Sequence, residues 1–446
     1  MKKSAERSSA NTQEKVETMT YTVDSMRKAP EGYAWSRFGQ PEYTDWLDES
    51  LSWKESCYIG DWSFLWQHRF TGPDALRLFE ETTVNSYKKF DIGQSKHAIH
   101  TNRSGKVIHE GVLTRFGEED FVVHGRGGFW AAFNLEHGNY NAQVSKEDWF
   151  IFQVSGPAAV KVLKALTDSD ELLNAKYMHV VPITVAGHEI HALRQGMAGE
   201  VGFELQGPKE AGQAVYDAVL EAGKAFGIRK LGGRVAAINH LEACFPTIAT
   251  DYIPAIFDED MAEYLKYFQS SMPAFAQPAY IAGSYEGKDI SEYYRSPIEL
   301  GWGRTVNTDH DFLGREALAE EKENPRRVIR TLEWDGDDVA EVQASLFRDG
   351  EHYDFMDMPR DQRGFMWADR VEVDGILAGV ATSRGYSYYF RKMLSLATID
   401  VEYAEPGTEV SVIWGAPGHP QKTIRAIVRP APYKTDKSRG DLLATV

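Results

Sequence analysis

Residues 196–205 read Gly196-Met197-Ala198-Gly199-Glu200-Val201-Gly202-Phe203-Glu204-Leu205. Three glycines crowd a turn, and the chain then returns into a strand carrying one acid, Glu204. Bare backbone of this kind suits a flat ligand lying against it, and a carboxylate there can accept two N–H bonds from a pterin-like edge. The same residues also describe a plain hairpin with a solvated glutamate, so the surroundings have to decide. Upstream, residues 183–193 alternate apolar and polar side chains, as one half-buried strand does. Before them, Trp149–Ser155 reads as a strand, broken by Gly156-Pro157 ahead of an Ala/Val/Leu-rich helix. Downstream, residues 211–226 have helical periodicity and end at Gly227, and residues 234–245 form a second helix stopped at Pro246.

Working further outward, Gly72-Pro73-Asp74-Ala75-Leu76 opens a helix, and residues 111–114 and 120–124 are strand-like. Residues 1–20 are polar and read as a mobile arm. The aromatics that follow, Tyr33, Trp35, Phe38, Tyr43, Trp46 and Trp53, carry too much apolar surface for water and are expected to pack on the body. The charged run at 320–327 marks a boundary. Beyond it, short strands at 328–334, 371–373, 379–382, 394–399, 409–414 and 423–428, separated by Gly and Pro turns, predict a small antiparallel barrel. The expected division is an N-terminal arm (1–50), a catalytic body (51–325) and a C-terminal β-barrel domain (326–446).

With 49 Lys and Arg against 66 Asp and Glu, the formal charge is -17, which argues against nucleic acid as a partner. A small anion would have to meet local positive residues. Cys57 and Cys244 offer neither a disulfide framework nor a thiolate metal motif, and reduced thiols fit a cytoplasmic location. No run of about 18 apolar residues predicts a membrane span, and the N-terminus lacks a signal peptide's apolar run.

Gly125-Arg126-Gly127-Gly128 is not a dinucleotide fingerprint and reads as a tight turn. Within it Arg126 can offer a two-pronged guanidinium to a carboxylate. His97 and His100 stand three apart on a strand, so they point to opposite faces and do not share a metal. His124 precedes Arg126 by two, which on an extended chain turns both toward one pocket. On the 234–245 helix, Arg234, Asn239, His240 and Glu242 form a polar set among apolar residues.

In order along the chain, these pieces resemble the T-protein (aminomethyltransferase) family of the glycine cleavage system. They are Asp61-x-Ser63, Gly72-Pro73-Asp74-Ala75-Leu76, Gly156-Pro157, Gly199-x-x-Gly202-Phe203-Glu204-Leu205, Leu241-Glu242-Ala243, Glu299-Leu300-Gly301-Trp302-Gly303 and Phe312-Leu313-Gly314-Arg315-Glu316-Ala317-Leu318. Residues 193–199, 292–294, 385–388 and 394–400 are similar to the tetrahydrofolate-dependent vanillate/3-O-methylgallate O-demethylase branch. The resemblance implies an α+β fold: a three-lobed folate-binding body with a C-terminal antiparallel β-barrel. It implies tetrahydrofolate as methyl acceptor, held by Glu204 with Phe245 and Tyr386. It also implies a methoxylated aromatic acid as the small-molecule partner, gripped by Arg126 with His124, Trp62 and Tyr33 around it. No metal is implied.

Two positions depart from the family. The aminomethyltransferase aspartate falls near Val112-Leu113-Thr114-Arg115, where no acid stands. The branch's catalytic tyrosine falls on Ala236, and Ala34 and Ser36 replace aromatic residues of its arm. His240, one helical turn from Ala236, is the first candidate for the acid because an ordinary imidazole pKa suits proton donation, with Tyr252 and His124 next. Two other functions fit the same fold. One is demethylation of a sulfonium or methylamine donor held by an aromatic cage. The other is folate binding without catalysis.

Overall fold

The computed structural model describes residues 22–29, 38–167, 169–272, 280–361 and 366–442. Residues 1–20, Tyr33, Ala34, Trp35 and Ser36 lie outside the described residues. Among the described residues, two large sheets, a two-stranded one within a third packing centre and a closed barrel make up an α+β fold.

The five-stranded sheet runs Ser95–Thr101, Val107–Gly117, Asp120–Gly125, Gln67–Thr71, Gln143–Glu147, all antiparallel. The six-stranded sheet runs Ile228–Lys230, Cys57–Asp61, Trp149–Ser155, Gly202–Pro208, His188–Arg194, Val180–Val185, with only its first pair parallel. The single strand expected at 183–193 is therefore two strands. They fold back at Ala186-Gly187, whose φ values are 51° and 81°. A two-residue turn of this kind keeps the side-chain alternation in phase across the hairpin, so periodicity does not reveal it.

Between Cys57–Asp61 and Gln67–Thr71 the chain crosses from one sheet to the other, and residues 62–66 are stitched to both. Trp62 N donates to Ile151 O at 2.8 Å, Ile151 N donates to Ser63 Oγ at 2.9 Å, and Gly125 N donates to Trp66 O at 2.8 Å. The crossing is thereby fixed, and so is the position of the side chains it carries.

Strand alternation gives the six-stranded sheet two unlike faces. Ile59, Phe152, Val154, Phe203 and Leu205 pack on helices Ala159–Leu166 and Lys209–Gly223 as ordinary apolar core. The other face presents Tyr58, Gln153, Glu204 and Gln206, all buried. Helix Gly233–Glu242 packs beside this face, where Val235, Ala236 and Ile238 share a cluster with Tyr58 and Ile151. That helix ends earlier than expected. Cys244 adopts φ 51°, and Phe245 N donates back to His240 O at 2.8 Å, so the chain reverses before Pro246.

Glu242 closes that helix with a buried lock. Lys54 Nζ and Trp53 Nε1 both approach its Oε2 at 2.9 Å, and Ser387 Oγ donates to Oε1 at 2.5 Å. The three partners come from the N-terminal helix Trp46–Glu55 and from the barrel. The barrel itself closes in the order Arg327–Trp334, Lys392–Asp400, Ile376–Ser387, Asp369–Val373, Glu409–Trp414, Lys422–Arg429, every pair antiparallel.

Candidate active site

The polar face of the six-stranded sheet is the first part of the site. Glu204 pairs across the sheet with Gln153, which pairs with Gly60, so the three share one side. Gly60 is required there: a Cβ would meet the Trp62 ring at 2.2 Å. Trp62 thus lies on bare backbone beside Gln153 and Glu204. Gln206 Nε2 donates to Glu204 Oε2 at 3.1 Å, and Asn239 Nδ2 lies 3.4 Å from the Tyr58 hydroxyl. Several polar atoms remain unspent: Gln153 Nε2, Gln206 Oε1 and Asn239 Oδ1 are buried without a partner. Buried orphans of this kind are costly unless a ligand meets them. With one carboxyl, one donor and two acceptors left over, the face fits the edge of a flat heterocycle that both gives and takes hydrogen bonds, as a pterin does. Burial pushes the Glu204 carboxyl up to about 7, against a smaller lowering by Gln206.

The glycines of the 196–202 turn serve another purpose than the sequence suggested. A Cβ on Gly196 would lie 1.7 Å from Glu200 O, one on Gly202 would meet Ser155 at 2.7 Å, and Gly199 (φ 65°) abuts Lys434. They clear room for the protein's own groups, and the row of polar side chains on the sheet face is what remains for a ligand to meet.

His240 stands beside this face, its ring 6.2 Å from Trp62 and 5.2 Å from Phe245. Its Nε2 has no partner. Burial, and then the Arg360 guanidinium, push its pKa down to about 4. The ordinary imidazole value on which its acid role was argued is therefore corrected: near pH 7 this ring is neutral. Asp251 also feels Arg360, and it accepts from Thr382 Oγ1 at 2.6 Å and Thr247 N at 2.8 Å.

Tyr252, next in the chain, is fully buried and its hydroxyl has no partner. Burial first, and then Glu110, hold its pKa well above the ordinary phenol value, while Arg126 opposes them. Tyr252 therefore keeps its proton and stays a donor. Arg126 lies over the Trp66 ring at 5.7 Å, and its charge also reaches His109 and Tyr264. The expected tight turn around it is the start of helix Gly127–His137, with Arg126 as N-cap. Gly127 and Gly128 are bare because His100 Nε2 and His68 Nδ1 would lie 2.8 and 2.4 Å from added Cβ atoms.

This geometry separates two residues expected together. Gly125 has φ 116° and Arg126 is helical, so the alternation that would align His124 with Arg126 breaks between them. His124 instead meets Trp149 edge-on at 5.9 Å, and burial followed by His191 sets its pKa at about 4. Tyr386 lies with its ring edge-on to Trp46 at 6.2 Å and lines a cavity with Trp334, Met358 and Met393 in the barrel region. Trp62 sits with the Glu204 face and His240. Sequence reasoning missed Tyr58, Gln153 and Gln206, and it noted Asn239 only as one of a polar set on its helix. Gln153 did carry a signal, as a lone amide in the strand Trp-Phe-Ile-Phe-Gln-Val-Ser.

The sequence pattern described as the GCVT N-terminal domain matches residues 24–259. Among curated proteins, the sesamin methylene transferase of Sinomonas sp. (strain No.22) is 36% identical over 412 residues, covering 88% of this chain and 89% of that protein. The syringate O-demethylase of Sphingobium sp. (strain NBRC 103272 / SYK-6) is 32% identical over 425 residues, 90% of each chain. Among solved structures, the glycine cleavage system aminomethyltransferase T from Bartonella henselae superposes with a TM-score of 0.64 at 18% identity, covering 92% of this chain and 96% of that one.

Proposed function

The chain belongs to the GCVT family and is a tetrahydrofolate-dependent methyltransferase, and from that premise we propose that it is an O-demethylase of a carboxylated aromatic methyl ether. The products are a phenol and 5-methyltetrahydrofolate. The observation that carries this reading is the pairing of a fixed cation, Arg126, with the orphaned, proton-keeping hydroxyl of Tyr252 inside its field. An anionic ring anchored at Arg126 presents its ether oxygen to a neutral donor.

Bound tetrahydrofolate supplies the nucleophilic N5 that accepts the methyl group. Glu204, Gln153, Gln206 and Asn239 hold the heterocycle's edge, and Phe245 adds an aromatic wall. Trp62 and Phe245 cover His240 and exclude water, which keeps hydrogen bonds inside strong. Phenolate is a reluctant leaving group, so a donor to the ether oxygen lowers the barrier. Tyr252 takes that role through its O–H. His240, being neutral, takes part as a hydrogen-bonding ring and not as an imidazolium. Holding donor and acceptor in line is the larger contribution.

A second reading has its own support. Ala236, buried beside Trp62 and Tyr58, leaves that wall without a hydroxyl, and the relative of 36% identity is named for methylene transfer. On this reading a methylenedioxy ring gives a catechol and 5,10-methylenetetrahydrofolate. One experiment tests both. The enzyme is mixed with tetrahydrofolate and either methoxybenzoates or methylenedioxybenzenes, and the folate product is identified by mass. Methylated folate from methoxybenzoates is the expected outcome. Methylene-folate alone transfers the case to the second reading, and no folate product from either panel removes both.

A further inference from the structure

The aromatic core beside Arg126 holds polar side chains that the chemistry above leaves unused. Arg126 caps helix Gly127–His137 with helical backbone, so Phe129 and Trp130, three and four residues on, share its side of the helix. Tyr264, on helix Ala262–Ser271, meets the Trp130 ring edge-on at 4.8 Å. His109 closes the group. Its ring stands 5.6 Å from Tyr264 and 4.9 Å from Phe268, which in turn meets Phe129 at 5.4 Å. The sheet agrees with these contacts: His109 lies two residues before Gly111, which pairs with Gly125, the residue ahead of Arg126.

Three of these side chains are unsatisfied. Among the described residues, Trp130 Nε1, the Tyr264 hydroxyl and both ring nitrogens of His109 are buried without a hydrogen-bond partner. The side chains are 7%, 1% and 0% exposed in that order. Burying such groups without partners is costly, and gathering them in one nest points to a ligand that meets them. Their chemistry says which ligand. A neutral imidazole, a phenol and an indole bring one N–H, one O–H and one N–H, all donors, to the neighbourhood of one guanidinium. A carboxylate has about four lone-pair sites, and a guanidinium fork fills two. Neutral donors can fill the outer two without burying a second cation. Burial, and then the Arg126 charge, keep His109 neutral, and the same charge reaches Tyr264.

We propose that His109 and Tyr264 complete the carboxylate site that Arg126 begins, each donating one hydrogen bond to the outer oxygens of the bound acid, and so set the preference for acids over neutral rings. The assignment rests on the reading that the donor is an aromatic acid.

The test uses the full chain and two probes without a methyl ether, so that no turnover is needed. Benzoate and its uncharged methyl ester are titrated calorimetrically. The wild type prefers benzoate. Tyr264→Phe removes only the hydroxyl, and His109→Phe removes both nitrogens while keeping an aromatic ring. Each variant lowers the benzoate-to-ester affinity ratio by about tenfold or more, as expected for a lost hydrogen bond to a charged group. A wild type without preference for benzoate overturns the assignment. So does a ratio that neither variant changes, and so does an equal weakening of both probes, which marks a packing role. The donor reading fails separately: if the ratio falls as expected and no methoxybenzoate yields methylated folate, the anion site stands and the O-demethylase reading does not.

Discussion

At the scale of single residues, the Glu204 carboxyl is the most informative group. Buried and raised to about 7, it is partly protonated in the free enzyme at neutral pH. A pterin that donates N–H bonds to it favours the charged form, so its pKa falls on binding and a proton is released. Folate affinity is therefore expected to weaken as pH drops from about 8 to 6, by up to about tenfold per unit below the free pKa. Calorimetry in buffers of different ionisation enthalpy reads the released proton, and Glu204→Gln should abolish both the release and the pH dependence. Unaltered proton release in that variant would detach Glu204 from the heterocycle. Tyr252 carries a separate expectation. Tyr252→Phe removes the proposed donor without disturbing the ring's packing on Trp302, so kcat should fall by about 10²–10⁴ while folate binding stays. Normal turnover by that variant would return the role to His240 or to a substrate needing no donor.

At the scale of elements, helix Gly233–Glu242 holds Asn239, Ala236 and His240 against the polar sheet face, and its C-terminal end is secured by Glu242. Because Lys54 and Glu242 are both almost fully buried, Glu242→Gln leaves an ammonium without its counter-charge. A loss of about 3–5 kcal/mol is expected by urea denaturation. The start of helix Gly127–His137 is equally constrained: Gly128→Ala places a methyl 2.4 Å from His68 Nδ1, which should cost about 1–3 kcal/mol and displace Arg126. These contacts explain what the sequence disclosed and what it hid. Strands 149–155 and 409–414 were legible to the residue, the first as an apolar run ended by Gly156-Pro157 and the second by its alternation. The other barrel strands were placed but drawn short, as where strands run on through polar residues at Lys392 and Lys422. The helix at Gly127 was hidden because two glycines look like a turn, and only the distant His68 and His100 explain them. Glu204 and Arg126 were legible as isolated charges. Their amide neighbours Gln153 and Gln206 were not, because they gain meaning only once strand pairing puts them on one face, beside the helix that carries Asn239.

At the scale of the whole molecule, the buried histidines govern the response to acid. Burial lowers His68, His100, His124 and His240 to about 4, and holds His109 well below the ordinary imidazole value. Unfolded, each would titrate near about 6.5. Between those values the unfolded chain binds more protons than the folded one, so these groups stabilise the fold above about 6.5 and lose that contribution as pH falls toward 4. Glu204 and Asp369, both raised to about 7 by burial, act in the opposite sense: protonated when folded, they favour the fold at low pH and oppose it as pH rises from about 4 to 7. Among the groups pushed furthest, the buried histidines outnumber the raised carboxyls Glu204 and Asp369, so a net uptake of protons on unfolding is expected in the overlapping window. The urea midpoint should accordingly fall steeply between pH 6.5 and about 4.5. Replacing one member, as in His109→Phe, should flatten that slope by about one proton. Equal midpoints at pH 7 and pH 5 would mean that the histidines are hydrated and titrate normally. The interior around His109 and His240 would then be open to water, and the dry environment that the proposed chemistry needs would be absent.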